Sequence, residues 1–382
     1  MKFSIKRSIF LNQLSNVTRA IPGKATIPIL TGVKLELTND QLTLIGSDSE
    51  ISIESIISVN DDLNELEIEK TGSVVLPARL FNEIIRKLPT NKLTIEVNDQ
   101  YTATITSGQA TFNVIGVAGD AYPKLPTVET TNGISLPSTT FKQLINQTIF
   151  SASNQESRPI LTGLHLINKG SFVSAIATDS HRLSKREMPF TNEVSETEFE
   201  SITIPKKTML ELMRIAEDEQ DLTMIISHQQ VIFLLNGVTI YSRLLEGMYP
   251  DAERLIPTEY QSEIVVNSTE FLNAIDRASL MSREGSSNVV QMTIENGEVV
   301  LSVRGNELGK VAEVIETKKI EGKDIKISFN PEYMKDALKS FDGSDISLQM
   351  QSAVRPLLLQ LDTPSEIENN RLLQLLTPIR TH

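Results

Sequence analysis

Residues 177–184 read ATDSHRLS and set Asp179, Ser180, His181 and Arg182 side by side. Those residue types serve nucleophilic hydrolysis and metal ligation. A catalytic triad needs nucleophile and base in hydrogen-bond reach, with an acid orienting the base. Consecutive residues of an extended segment point alternately to opposite faces, so Asp179, Ser180 and His181 cannot form that arrangement alone. The chain offers few helpers, with four histidines and no cysteine. The missing cysteines exclude thiol catalysis, disulfides and thiolate–metal sites. A hydrolase built on these three residues is therefore the weakest functional reading. No catalytic residue, metal or cofactor is expected.

The elements around this stretch carry more information. The chain has 382 residues, enough for two or three domains, and its 40% hydrophobic and 22% charged content suits a globular protein. No apolar run approaches the roughly 18–20 residues of a membrane span, and the N-terminal segment lacks a signal-peptide pattern. A cytoplasmic protein with no membrane partner is expected. The net charge of −13 argues at first against nucleic acid, because phosphate contact needs Lys and Arg, but distribution matters more than the sum.

The sequence repeats itself. PILTG starts at Pro28 and again at Pro159, and Asp48 in IGSDSEIS and Asp179 in IATDSHRLS keep the same spacing of 131. VVLPARLFNEIIRKL (74–88) then parallels ITIPKKTMLELMRIA (202–216), and Tyr-Pro turns follow in GDAYPKLPT (119–127) and EGMYPDAERLIPT (246–258). A fainter third copy opens with EIVVNSTEFLNAIDRASLMS (263–282). The repeat also weakens the hydrolase, since the first copy has Asp48, Ser49 and Glu50 and no histidine. Domains at 1–127, 128–257 and 258–382 follow. Each reads as a doubled β-α-β-β-β unit, an α+β fold with six helices and about two dozen strands. Pro77, Pro205 and Pro331 sit where a strand becomes a helix and are expected at the first helical position.

The helical stretches are charged unlike the rest. Residues 6–24 hold Lys6, Arg7, Arg19 and Lys24 and no acid, and residues 205–215 hold Lys206, Lys207 and Arg214 against Glu211. The six stretches sum to +10, which leaves −23 elsewhere, in runs such as 60–69, 193–200 and 217–221. A shared basic surface suits a polyanion held by charge. Base stacking looks minor with 5% aromatic residues and no tryptophan. Helices pack about 8–10 Å apart, so a closed ring of twelve leaves a bore of roughly 28 Å, wide enough for a DNA duplex. Two copies of this chain would supply twelve helices in a head-to-tail dimer. A scaffold of like domains with no DNA is the rival reading, and it predicts neither a ring nor retention on DNA.

The three-domain repeat, RPILTGLHL, ATDSHRLS, YPDAERLIP and the C-terminal LLTPIRTH together resemble the β sliding clamp family of bacterial DNA polymerase III, over essentially the whole chain. The resemblance implies the DNA clamp fold, with sheets outside and helices lining a central pore. It implies a non-catalytic homodimeric ring that encircles duplex DNA without sequence preference and confers processivity. A clamp loader would open it using ATP. The polymerase III catalytic subunit, other polymerases and repair proteins would dock on it through short linear peptides. By position, the resemblance assigns DNA contact to Lys24, Gln155 and Arg158, joined by Lys206 and Lys207. It assigns a peptide pocket to Leu161, Thr178, His181, Arg182, Leu183, Pro250, Arg254, Leu255, Leu375, Pro378, Ile379 and Arg380. For the dimer contact it suggests Phe112 and Val114 against Leu280 and Met281. Here the sequence continues two residues past Arg380, Thr377 stands where some members carry an apolar residue, and NVVQMTIEN replaces the ILTG run in the third copy.

Overall fold

The computed structural model describes residues 1–125, 133–189, 200–227, 229–283, 288–304 and 309–380. The expected boundary at 127–128 and nearly all of the acidic run 193–200 lie outside the described residues. Six α-helices are present among the described residues: α1 (Arg7–Thr18), α2 (Ala78–Lys87), α3 (Ser138–Asn146), α4 (Lys206–Ile215), α5 (Ser268–Arg283) and α6 (Pro331–Lys339). Pro331 occupies the first helical position, behind an Asn330 side chain that accepts from Glu332 N. Pro77 and Pro205 instead end their strands, one residue before α2 and α4. There the fixed φ of proline serves the strand-to-helix corner rather than the first turn.

The chain packs as two compact units, Met1–Ser138 with Glu211–Leu244, and Thr139–Leu210 with Leu245–His382. The first unit holds a five-stranded antiparallel sheet in the order Glu67–Lys70, Lys2–Lys6, Lys92–Val97, Thr102–Ser107, Ala110–Ile115. Its second sheet has nine strands. Val117–Ala118, Gly72–Pro77, Gly32–Leu37, Gln41–Ser47 and Ile51–Ser58 of the first repeat run on into Val238–Arg243, Gln230–Leu235, Asp221–Ser227 and Ile134–Pro137 of the second. The pairing of Ile51–Ser58 with Val238–Arg243 is a first seam, where one repeat's sheet becomes another's.

The second unit follows the same plan. Its nine-stranded sheet runs Ser201–Pro205, Gly163–Asn168, Phe172–Thr178, Arg182–Pro189, then Arg371–Leu376, Leu357–Leu361, Asp345–Met350, Ser262–Asn267 and Lys319–Gly322. The pairing of Arg182–Pro189 with Arg371–Leu376 is the second seam. A four-stranded sheet, Lys310–Ile315, Glu298–Arg304, Val290–Glu295, Ile325–Phe329, completes the third repeat. So the sheets cross the boundaries between repeats instead of stopping at them.

The cores follow from apolar periodicity. In α1 Phe10, Leu14 and Val17 recur at helical spacing and are buried. Phe10 packs edge-on to Phe81 of α2 at 5.8 Å and lies 6.2 Å from Phe3, so the helix pair closes over the sheets. In the third repeat α5 and α6 pack together, burying Phe271, Ile275, Met334 and Leu338 against strand residues such as Met292, Leu301 and Leu348.

Gly46 marks a close approach of α1 to the sheet. A Cβ there would lie 2.1 Å from the Val17 carbonyl oxygen, and backbone cannot rotate away as a side chain does. Ala177, 131 residues on, is accommodated where α3 has already ended at Asn146. Gly46→Ala is expected to destabilise the chain by about 2–4 kcal/mol, the range of overpacking combined with a backbone shift. Chemical denaturation checks it, and an unchanged midpoint refutes the close approach.

Candidate functional site at the second seam

The ATDSHRLS stretch is the turn between Phe172–Thr178 and Arg182–Pro189. Asp179 shapes it: Oδ1 accepts from His181 N at 2.9 Å and from Arg182 N at 3.0 Å. Ser180 adopts the left-handed conformation (φ 77°), and Thr178 Oγ1 donates to Arg182 O at 2.6 Å. The first repeat builds the same turn. Asp48 Oδ1 accepts from Glu50 N and Ile51 N at 2.9 and 2.8 Å, and Ser49 has φ 81°. Asp and Ser are thus turn-formers in both copies. Ser180 Oγ receives Arg158 Nη1 at 3.5 Å, and no hydrogen bond among the described residues joins it to His181. This geometry does not support the hydrolase reading.

Strand pairing places the apolar residues. The second seam sets Leu183 opposite Leu375, with Leu358 one strand further on. Leu161, Leu183 and Leu375 meet in one buried cluster with Ile176, Tyr249, Ala252 and Leu358. The last four were not singled out from sequence. Ile176 was accessible through the repeat, since Ile45 stands 131 residues before it. Around this floor His181, Pro250, Arg254, Leu255 and Arg380 are exposed. Leu255 is 52% exposed, and Arg254 Nε pairs with Asp251 at 2.7 Å. The C-terminal segment is pinned beside them: Thr377 N donates to His181 O at 2.8 Å, and Ile379 N to Ser328 O at 2.7 Å. Pro378 is buried between these bonds and Ile379 is half-buried. The arrangement offers an apolar floor with a mixed rim, which suits one or two apolar side chains of an extended peptide.

Two expected pocket residues are engaged in the scaffold. Thr178 is buried and occupied in closing the turn. The Arg182 side chain is 11% exposed. Its Nε reaches Asp179 Oδ2 at 3.1 Å, Nη1 reaches Asp336 Oδ2 of α6 at 2.8 Å, and Nη2 donates to Phe150 O at 2.7 Å. The guanidinium also lies 4.3 Å from the centre of the Tyr333 ring. Arg182 therefore ties α6 to the turn. Beneath the floor, the His165 ring stacks on Tyr249 at 4.3 Å, and its Nδ1 contacts Thr203 Oγ1 at 2.9 Å. Burial lowers the His165 pKa from 6.5 to about 4, against a smaller opposing effect from the Ile202 backbone.

The expected DNA contacts are placed as follows. Lys24 is exposed in the segment after α1. Gln155, Arg158 and Lys207 are exposed, while Lys206 is half-buried, its Nζ 3.1 Å from Asn154 Oδ1 and 3.4 Å from Ala152 O. The 152–158 segment, the Asp179 turn and the start of α4 thus share one locale. Burial, then the charge of Arg182, lowers the Lys206 pKa, with Asp179 and Asp336 acting the other way.

Of the expected dimer residues, Leu280 is 59% and Phe112 39% exposed, while Met281 is half-buried. Val114 is turned into the core at 3% exposure and has no surface to offer a partner. Phe112 and Val114 share a strand face, but the core covers only Val114. The exposed apolar neighbour is Ile115, at 77%.

Among known proteins, residues 1–126 match the family described as DNA polymerase III beta subunit, N-terminal domain. Residues 135–251 match its central domain and residues 253–379 its C-terminal domain. The beta sliding clamp of Bacillus subtilis (strain 168) is 42% identical over 385 residues, and that of Staphylococcus epidermidis 40% identical over 384, each pair covering 100% of both chains. The crystal structure of the Bacillus subtilis DNA polymerase sliding clamp compares with a TM-score of 0.94 at 41% identity. The Streptococcus pneumoniae DNA polymerase III beta chain compares with 0.94 at 35%, and full coverage holds for both structures.

Two expectations follow from the geometry. Arg182→Ala leaves Asp179 and Asp336 without their cation and should cost about 2–4 kcal/mol of stability, because breaking a buried pair strands its partner. Equilibrium denaturation checks it, and a wild-type midpoint refutes the tie. For His165, the unfolded chain takes up a proton as pH falls through 6.5, while the folded chain resists until about 4. The stability that depends on neutral His165 is thus whole above about pH 6.5 and is lost as pH falls toward 4. His165→Phe should remove about one proton's worth of pH dependence in that window, read from unfolding free energies against pH. An unchanged slope would refute the assignment.

Proposed function

Because the chain belongs to the DNA polymerase III beta subunit family, the bacterial sliding clamps, it acts as a DNA sliding clamp, and we propose that it does so as a closed homodimeric ring around duplex DNA. The observation that carries the reading is full-length likeness: all three clamp domains match, in order, along one chain. On this reading the protein is a cytoplasmic processivity factor with no catalysis of its own. It binds the polymerase and other replication and repair proteins, and a separate ATP-driven loader opens it.

Two free sheet edges support the ring. Ala110–Ile115 is one outer strand of the five-stranded sheet and Lys310–Ile315 one outer strand of the four-stranded one. An outer strand presents unpaired N–H and C=O groups, which natural proteins cover or pair. Each edge carries exposed apolar side chains, Phe112 and Ile115 on one and Val314 on the other, with Leu280 of α5 exposed as well. Pairing one copy's first edge with the other copy's second would bury these residues, and two copies supply two such joints. Lys24, Arg158, Lys206 and Lys207 then meet the duplex through hydrated, sequence-independent charge contacts that permit sliding, with Gln155 beside them as a hydrogen-bond donor. The apolar floor at the second seam, with Leu255, His181 and Arg254 on its rim, receives the short linear peptides of partner proteins.

A nicked circular plasmid loaded with the protein by a clamp loader tests the topology. The protein should stay on the circle and leave once the plasmid is linearised, and equal retention on both forms would falsify encirclement. The double variant Ile115→Asp with Leu280→Asp should sediment as a monomer and lose retention. A dimer that persists in this variant rules out these joints.

A further inference from the structure

The first seam repeats the second in detail. Arg243 N donates to Glu50 O at 3.0 Å, as Thr377 N donates to His181 O, and Glu50 and His181 stand 131 residues apart. Tyr241 pairs with Ser52 as Leu375 pairs with Leu183. Beneath the first seam Leu30, Ile45 and Tyr122 form a buried cluster with Leu125 packed on it. Leu161, Ile176, Tyr249 and Ala252 hold the matching places in the second.

The first seam differs in its lining. A groove of about 270 Å³ lies there, lined by Ile27, Leu30 and Leu125 on its apolar side and by serine hydroxyls opposite. Where the second seam has Leu183 and Leu375 filling the floor, the first has the smaller Ser52 and a Tyr241 whose hydroxyl donates to Glu54 Oε2 at 3.2 Å. Ile27 is 48% exposed. Lys124 and Arg243 line the groove, and neither side chain has an ion-pair partner among the described residues. Glu50 is the one acid among the described lining residues, which together carry one net positive charge.

We propose that this groove is a second docking site, one that takes a short extended acidic peptide: a branched apolar side chain seated on Leu30 and Leu125, flanked by carboxylates that meet Lys124 and Arg243. The volume fits one such side chain and falls below the usual range for a cofactor. Two unpaired cations favour carboxylate, while Glu50 between serines disfavours the continuous negative charge of a nucleic-acid backbone. The class of ligand rests on the peptide reading of the second seam, but the site does not share residues with it.

Calorimetric titration of the full-length chain with the peptide acetyl-Gly-Asp-Leu-Glu-Leu-Asp-Gly amide tests this. Two peptides per chain are expected. Lys124→Glu with Arg243→Glu, or separately Ile27→Asp, should weaken one of the two sites at least about tenfold and leave the other. Leu255→Asp should do the converse. These positions are exposed or half-exposed, and thermal melting verifies the fold. If one peptide binds per chain and only the first-seam variants remove it, the proposal stands and the second-seam reading falls. The proposal is overturned by no binding at all, or by a single site that Leu255→Asp alone removes. It is equally overturned if the charge reversal alters retention on circular DNA or sedimentation while leaving both peptide sites intact.

Discussion

The pairing of Arg182–Pro189 with Arg371–Leu376 is the interaction on which the candidate site depends. It joins strands nearly 190 residues apart and fixes which side chains face each other. A slip of one residue would turn Leu183 and Leu375 away from Leu161 and Tyr249 and dissolve the floor. Polar contacts hold the register from within. Ser184 Oγ meets Gln374 Oε1 at 2.5 Å, and Gln374 Nε2 donates to Gln147 O at 2.9 Å and Ser340 Oγ at 3.0 Å. Gln374 is almost wholly buried, so each of these bonds is made away from competing water. Arg182 adds a charged tie from the same strand to α6. The groove is the visible edge of a seam stabilised from behind.

The same plan explains why two seams with one ancestry of pattern differ in surface. Both use an Asp-capped turn with a left-handed Ser, a PILT segment and a tyrosine from the Tyr-Pro turn. Those parts set backbone geometry and are retained in both. The variable positions sit on that frame: Glu50 against His181 and Lys124 against Asp251 are exposed, whereas Ser52 against Leu183 and Tyr241 against Leu375 set half-buried residues against buried ones. Function can diverge at the exposed positions without disturbing the fold, because they contribute little to the core.

Much of this was legible in the sequence. The 131-residue spacing exposed the repeats, and alternation in runs such as RLSKREM located the strands. The resemblance assigned Leu161, Leu183 and Leu375 to one pocket, and the structure buries the three in one cluster. What escaped was long-range. Nothing local in VTIYSRLL says that its strand completes the sheet of another repeat, so the two-unit packing was not readable. The resemblance assigned Arg182 to the pocket, and nothing local in the sequence announces the ties that its side chain makes. Only the arrival of Asp336 and Tyr333 on α6 draws it inward. The resemblance set Val114 beside Phe112 in the dimer contact, and alternation along the strand does not say how far the core that buries Val114 extends.

The charge pattern resolves once cations are sorted by what they already hold. Arg182 and Lys335 are buried in ion pairs, the latter with Asp276 and Glu332, and Lys185 bridges Glu187 and Glu253. Such cations are fixed by their partners and have little charge left for a ligand. Lys24 and Arg158 are exposed and outside these pairs. A protein that slides must hold phosphates loosely, since each tight pair would be a step to break at every base pair. Hydrated, flexible cations exchange one phosphate for the next with little cost, and salt screens them within about 8–10 Å. An acidic chain with a few such cations is therefore suited to moving along DNA. On the ring reading, its surplus of carboxylates repels DNA that is not enclosed, and topology supplies the retention that affinity does not.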